Sequence, residues 1–261
     1  MTTSLNIYTH NSAAWDRLAQ QQCPWSQAVS SETVNAAKQG EWSLYLTPSP
    51  VPRAWLGDVC GLRVLCLASG GGQQAPILAA AGAQVTVLDA SAEQLAQDRL
   101  VAERDALDMT LVQGDMRDLS IFAAASFDLI VHPISNQYVP DIQPVWQECY
   151  RVLANGGALL SSFFNPVIFI AEREADAQTD TLHLRYPVPY SDLTHLSEAV
   201  RARKIQDGEP FMFGHGLSAQ LGGQMAAGFV LAGLFEEWHP APRMPIERFI
   251  PSFIATRALK L

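Results

Sequence analysis

The chain has 261 residues, 48% of them hydrophobic, with 17 basic against 26 acidic side chains and a formal net charge of −9. This length is sufficient for a large folded domain with its own core. The acidic balance and the lack of any Lys/Arg block argue against nucleic acid and anionic membranes as partners.

The cysteines and the N-terminus bear on compartment and cofactor. Four cysteines without a C-x-x-C pair predict reduced thiols in a cytoplasmic protein, and six scattered histidines predict no metal centre. The first residues lack the pattern of a secretory signal. No apolar run reaches the roughly 20 residues that a membrane-spanning helix requires.

Residues 1–55 are predicted to form a helical N-terminal cap. Asn11 and Ser12 are expected to cap a helix over 13–20, and Ser30 or Ser31 a second helix that ends at Gly40. The three prolines of 47–55 cannot continue a helix. They mark the predicted boundary with a second domain, 56–261.

Strands and helices alternate from residue 62 onward. Continuous apolar runs predict buried strands at 62–68, 83–90, 109–115, 127–133 and 158–164. Helices are expected from about Gln73 to Gly82, after a Ser91 cap, and over about 141–154. Strands that alternate with helices form parallel βαβ units, so the predicted fold class is α/β with a doubly wound sheet.

The alternation of strands and helices is interrupted after Pro166. Residues 166–215 are more polar and are predicted to form a lid inserted after the fifth strand, with a strand pair at 181–188 and 209–214. A helix at 216–228 and strands at 229–238 and 253–259 follow. The order of these strands and helices therefore predicts a mostly parallel, Rossmann-like sheet of seven strands, with the last strand antiparallel.

Three consecutive glycines follow the first predicted strand, and two ligand classes use such a loop. Gly70, Gly72 and Ala75 satisfy the G-x-G-x-x-A pattern of dinucleotide-binding proteins, with Asp89 near the expected ribose position. S-adenosylmethionine also places its amino-acid portion over a glycine loop and its ribose on a carboxylate. The loop alone does not separate the two classes.

Three further features favour S-adenosylmethionine. The first strand follows an N-terminal segment of about 60 residues, whereas dinucleotide-binding folds often begin near their first strand. Asp115, in GDMRDL after the third strand, lies where an adenine amino group would sit. The closing pair of strands also predicts the inserted antiparallel strand.

From about residue 60 onward the chain resembles the class I S-adenosylmethionine-dependent methyltransferases. VLCLASGGG (64–72) is similar to the family's first motif, VLDLGCGTG, although Cys66 replaces an acidic residue and Ala68 the first glycine. VLDAS, GDMRDL, FDLIVHP and RVLANGGALL resemble the second to fifth motifs in the family's order.

This resemblance implies roles around the methionine portion of the cofactor. The loop would present its backbone there through these residues: Ala68, Ser69, Gly70, Gly71 and Gly72. Gln73 would add an amide hydrogen bond at the start of the following helix, where backbone N–H groups favour a carboxylate. An ordinary tight turn and helix start remain the alternative for both.

The same resemblance also implies roles for residues around the adenosine and the methyl group of the cofactor. Asp89 would accept both ribose hydroxyls, Ala90 would lie against the adenine, and Asp115 and Met116 would recognise its edge. His132 would face the sulfonium and is the candidate catalytic base. Alternatively, the two aspartates end a strand or cap a turn, and His132 is a buried structural histidine.

The acceptor is expected to be a small molecule held by the cap and the lid. Candidate aromatic side chains of this cover are Tyr8, Trp15, Trp25, Trp42, Tyr45, Phe169, Tyr186, Tyr190, Phe211 and Phe213. Further candidates are His10, Tyr138 and His215. Two other functions stay open, an NAD-dependent oxidoreductase and a non-catalytic module that binds S-adenosylmethionine.

Overall fold

The structure is a computed structural model that describes residues 5–172 and 181–261. Its described strands are β1 Arg63–Leu67, β2 Gln84–Asp89, β3 Met109–Gln113, β4 Phe127–His132, β5 Leu153–Phe164, β6 Tyr190–Ser191, β7 Phe213–Gly214, β8 Val230–Glu237 and β9 Phe253–Leu259. Its described α-helices are α1 Ile7–Gln20, α2 Ser31–Lys38, α3 Arg53–Leu56, α4 Gln74–Ala80, α5 Ala92–Asp105, α6 Gln143–Val152, α7 Asp192–His195, α8 Glu198–Asp207 and α9 Leu217–Ala227.

Seven of these strands form one sheet in the order β3-β2-β1-β4-β5-β9-β8. β1 pairs in parallel with both β2 and β4, and β9 lies antiparallel between β5 and β8. The predicted fold class and the inserted antiparallel strand are therefore confirmed. The direction of winding reverses between β1 and β4, which opens a crevice at the carboxyl ends of these two strands.

The core has two layers because β1 is apolar on both faces. Val64 and Cys66 face a cluster that includes α4 and apolar side chains from 44–59. Leu65 and Leu67 face a second cluster built on α6, with Trp146 fully buried. Burial on both faces explains why the first strand is a continuous apolar run.

The first helix begins earlier than predicted. α1 begins at Ile7, and the Asn6 side chain caps it by accepting a hydrogen bond from the Thr9 N–H at 3.2 Å. The expected caps, Asn11 and Ser12, lie inside the helix and bond to distant segments. The second helix is confirmed, with Ser30 accepting from the Thr33 N–H.

Two further predictions about strands are wrong. Residues 181–188 form no strand. Leu184 makes an isolated bridge to Ala171, and β6 pairs with β7 instead. Pro187, which lacks an N–H donor, explains why no ladder forms there. The fifth strand, expected at 158–164, begins earlier, at Leu153, and Gly156 within it adopts a φ of +81°. Residues 173–180 of the predicted lid lie outside the described residues.

Within 5–172 and 181–261, no helix combines the length and the apolar character needed to cross a lipid bilayer. The domain boundary at 47–55 stays a prediction. Apolar side chains on both sides of it, including Leu46 and Val59, pack in the same cluster as the sheet.

Candidate active site

A cavity of about 820 Å³ lies at the carboxyl edge of the sheet, over the crevice between β1 and β4. The loops that follow β1, β2, β3 and β4 form its floor. The walls come from α1, from residues 45–48 and from the connection between β8 and β9. Ligands of doubly wound α/β proteins bind at this place in the fold.

Eight of the eleven predicted cofactor residues line this cavity. They are Ala68, Ser69, Gly70, Gln73, Asp89, Ala90, Asp115 and Met116. The remaining three, Gly71, Gly72 and His132, are buried behind the wall. The fold thus brings together residues that are nearly 50 positions apart along the chain.

Packing within the protein, rather than contact with a ligand, requires glycine at two positions of the loop. A Cβ on Gly71 would stand 2.5 Å from the backbone oxygen of Gln94, and one on Gly72 would stand 2.9 Å from the Cα of Ala28. The Gly71 N–H donates to Gln94 Oε1 at 2.7 Å, and the Gly72 N–H to Asp98 Oδ1 at 2.9 Å. Close packing of the loop against α5 explains Gly71, and close packing against Ala28 of the N-terminal cap explains Gly72.

The cavity side of the loop is strongly curved. Ala68 has a φ of +46° and Gly70 a φ of +78°, both in the left-handed region. A glycine is favoured at position 68 for this reason, which accounts for the family's preference there. Gln73 donates its amide to the carbonyls of Pro24 and Gln27 at 2.7 and 3.3 Å, so it ties the loop to the N-terminal cap.

The carboxylate of Asp89 stands at the end of β2. Its Oδ1 accepts a hydrogen bond from the Ser91 N–H at 2.8 Å. Burial raises the pKa of this carboxyl to about 6, against the lowering effect of the backbone N–H groups of Ser91 and Ala90. The group is therefore mostly ionised at neutral pH and becomes protonated as the pH falls through 6.

A second carboxylate, Asp115, follows β3. It is held by the neighbouring Arg117, whose Nε lies 3.0 Å from both carboxylate oxygens and whose Nη2 lies 2.5 Å from Oδ2. The hydrogen bond to Asp115 is the main cause that raises the pKa of Arg117. Sequence reasoning missed this guanidinium, which also lines the cavity.

Helix α1 closes the cavity above these two carboxylates. Burial, followed by the charges of Asp115 and Asp89, raises the pKa of Tyr8. The Ser12 hydroxyl donates to the Ala90 carbonyl at 2.7 Å, and Asp16 accepts from the Ser91 hydroxyl at 2.6 Å. The N-terminal cap is thus fixed by direct contacts to the loop that follows β2.

His132 is buried behind the cavity wall and is not among the residues that line the cavity. It is fully buried, its Nδ1 lies 2.9 Å from the Leu67 carbonyl, and its ring meets Trp146 edge-on. Burial lowers the pKa of this histidine to about 4, so the ring is neutral. Its hydrogen bond joins the ends of β4 and β1.

The predicted aromatic cover divides into two groups. Four aromatic side chains of the N-terminal cap line the cavity: Tyr8, Trp15, Trp25 and Tyr45. Trp42, also in the cap, does not line it. Those of the lid pack into the protein instead; Phe211 is fully buried, and Phe169 and Tyr190 belong to a separate apolar cluster.

The three further candidates for the acceptor side also differ in where they lie. Tyr138 lines the cavity, with Trp15 packed edge-on at 5.1 Å between ring centroids. His10 contacts the Glu209 carbonyl, and His215 the carbonyls of Asn136 and Val139. Burial lowers the pKa of His215. Neither of these two histidines lines the cavity.

At the far end of the cavity, the contribution of the β8–β9 connection was not foreseen from the sequence. The wall of this end is mostly apolar and is formed by Leu46, Thr47, Pro48, Phe164, Ile168, Met212, His239, Pro240, Arg243, Met244, Glu247 and Phe253. The connection between β8 and β9, which supplies five of them, shows no periodic pattern in the sequence. Among the described residues, no group of three or more potential metal ligands is placed to hold a metal ion.

A seven-stranded sheet of this order, with a glycine-rich loop after β1 and acidic residues after β2 and β3, defines a class I S-adenosylmethionine-dependent methyltransferase. The sequence profile of the methyltransferase domain matches residues 65–161. The uncharacterized methyltransferase YbaJ of Bacillus subtilis (strain 168) is 44% identical over 256 residues, covering 98% of this chain and 99% of that protein. The chain belongs to this methyltransferase family.

Solved structures share the fold. A Mesorhizobium loti S-adenosylmethionine-dependent methyltransferase superposes with a TM-score of 0.61 at 24% identity, over 79% of this chain and 94% of its own. A Listeria monocytogenes protein described as a candidate member of the same class gives a TM-score of 0.62 at 21% identity, over 87% and 99%. The protein is an enzyme with S-adenosylmethionine as its cofactor, and the oxidoreductase and non-catalytic alternatives are not favoured.

Proposed function

We propose that this enzyme transfers the methyl group of S-adenosylmethionine to a small-molecule acceptor held in the same cavity. The observation that carries the proposal is the continuity of the cavity. It runs from the loop after β1 to the apolar chamber between residues 45–48 and the β8–β9 connection. A cavity of about 820 Å³, covered by α1, suits two small ligands side by side better than a macromolecular surface.

The residues of the floor fit the cofactor. Ser69 Oγ is buried without a hydrogen-bond partner beside the curved loop, where a methionine carboxylate would supply an acceptor. Asp89 would take the ribose hydroxyls, and Asp115 with the backbone of Met116 the adenine edge. Ala90 would lie against the base. Gly71, Gly72 and Gln73 would act through the shape of the loop.

S-adenosylmethionine supplies a methyl group on a positively charged sulfur. Because the leaving sulfur departs neutral, the protein mainly has to align the nucleophile with the methyl–sulfur bond and exclude water. The cover formed by α1 and the apolar wall serve both tasks. A general base is required only for an acceptor that arrives protonated.

The class of acceptor can be tested by following a labelled methyl group. Purified enzyme and methyl-labelled S-adenosylmethionine are incubated separately with the small-molecule, protein and nucleic-acid fractions of a bacterial extract. We expect label to enter the small-molecule fraction, at a rate proportional to enzyme. Label that enters protein or nucleic acid, and not small molecules, would contradict the proposal.

A further inference from the structure

Two arginines of the described chain line the cavity, and their charges are used differently. The guanidinium of Arg117 is bound by the Asp115 carboxylate beside the proposed adenine site. Arg243 lies in the connection between β8 and β9, and its side chain makes no hydrogen bond or ion pair among the described residues. The far end of the cavity therefore carries a cation for which the described chain supplies no counter-ion.

The carboxylate of Glu247 lines the same end of the cavity but is already engaged. It is only 3% exposed, and its Oε2 accepts the backbone N–H groups of Arg243 and Met244 at 2.7 and 3.0 Å. Its Oε1 accepts from the Ser252 hydroxyl at 3.5 Å. The side chains of Glu247 and Arg243 form no ion pair. Glu247 thus caps the short helical turn Pro245–Arg248 and leaves the guanidinium unbalanced.

A second donor without a partner lies earlier in the same connection, on His239. The Nδ1 of this ring accepts the Ala241 N–H at 3.1 Å, which in the neutral ring leaves the hydrogen on Nε2. The ring also packs on Phe253, with 5.6 Å between centroids, so its orientation is fixed from two sides. Nε2 has no hydrogen-bond partner among the described residues and is not buried, so it is accessible to a ligand.

The surroundings of these two donors select the chemistry of the ligand. Most of the far wall is apolar, whereas Arg243 is exposed, so a bound charge beside it would keep part of its hydration. One guanidinium beside a neutral imidazole balances a single negative charge, and the guanidinium fork matches the two oxygens of a carboxylate. An ammonium group would find no free counter-ion here, because Glu247 is engaged and Asp115 is bound to Arg117.

We infer that the methyl acceptor is a small apolar monocarboxylate whose carboxylate is bound by Arg243 and His239. This inference rests on the proposed function and assigns both side chains as specificity-determining residues. The carboxylate is the anchor at the far end, so the atom that receives the methyl group lies at the other end of the acceptor, over the crevice between β1 and β4. The C–S bond breaks and leaves its electron pair on sulfur, and the acceptor loses one proton to water. The product therefore keeps the single negative charge.

The charge of the labelled product tests the substrate class. The small-molecule fraction of a bacterial extract is methylated with labelled S-adenosylmethionine, and the product, freed of unreacted cofactor, is applied to an anion exchanger. We expect the label to be retained at about pH 7 and released at about pH 2, where a carboxylate is protonated. A labelled product that passes through at neutral pH overturns the inference. So does one that is still retained in acid, as a sulfonate would be.

Replacement of Arg243 tests the anchor. In Arg243→Met, the labelling rate at a limiting amount of the small-molecule fraction should fall about ten- to hundredfold, the loss of a charge-assisted hydrogen bond. The rate should recover as the fraction is concentrated, because KM rather than kcat is affected. Arg243→Lys, which keeps the charge, should retain part of the affinity. An unchanged rate in Arg243→Met, or a loss that concentration does not restore, overturns the assignment.

Two controls separate this inference from the proposed function. Arg99→Met should label at the wild-type rate, since Arg99 is also an exposed arginine without a side-chain partner among the described residues but lies outside the cavity. Arg243→Met should bind S-adenosylhomocysteine as tightly as the wild type in calorimetry; weakened binding would overturn the inference and leave the proposed function standing. Label that enters only protein or nucleic acid would refute the proposed function, and the inference with it.

Discussion

Replacing Asp89 by Asn is expected to weaken S-adenosylhomocysteine binding about ten- to hundredfold. The ribose hydroxyls would donate to an ionised carboxylate, and hydrogen bonds to charged groups contribute about 1.5–3 kcal/mol. Asn keeps the oxygen that accepts the Ser91 N–H, so the turn after β2 is preserved. Isothermal titration calorimetry measures the loss.

The pH dependence of the same binding adds a second signature. Because the pKa of Asp89 is raised to about 6, wild-type affinity should fall as the pH drops through 6, and Asp89→Asn should lack this step. Asp58→Asn is the matched control, since Asp58 accepts the N–H of Cys60 in the same way at 2.9 Å but lies outside the cavity. Wild-type affinity in Asp89→Asn would show that the ribose contact is misassigned.

Replacing Gly71 by Ala is expected to destabilise the fold and to impair cofactor binding together. The added methyl would stand 2.5 Å from both the backbone oxygen and the Oε1 of Gln94, closer than real contacts allow. The loop would have to move away from α5 and lose the Gly71–Gln94 hydrogen bond. Overpacking of this kind costs about 3 kcal/mol at the upper end of its usual range, which urea unfolding measures.

Gly222→Ala provides the matched control for this prediction. Gly222 lies inside α9, and a Cβ there would meet no atom within 4 Å. Alanine in a helix interior is favoured over glycine, so this variant should gain about 0.5–1 kcal/mol. If Gly71→Ala were as stable as Gly222→Ala, the packing explanation of the glycine loop would be wrong.

The central strands of the sheet could be predicted because they are buried on both faces. Runs such as that of β1 must be continuously apolar to satisfy both layers, and α5 carries a clear N-cap, Ser91. The first helix was misplaced because Asn11 looks like a cap in the sequence. Its side chain instead bonds to the backbone of Phe211 and Tyr138, a tertiary use that no local pattern reveals.

The floor of the candidate site could be predicted from the topology of the sheet. Asp89 and Asp115 end neighbouring parallel strands, whose carboxyl ends must share one edge of the sheet. The part of the far wall that the β8–β9 connection supplies could not be predicted, because this connection shows no periodic pattern in the sequence. His239 and Glu247 are placed by how the β8–β9 connection folds back over the sheet.

The most direct test of the account is a crystal structure of the protein in complex with S-adenosylhomocysteine. We expect the amino-acid portion to lie over the loop from Ala68 to Gly70, with the ribose hydroxyls within hydrogen-bond distance of the Asp89 carboxylate and the adenine edge beside Asp115. Density for the nucleoside elsewhere on the molecule, or an empty cavity at saturating ligand, would contradict the account.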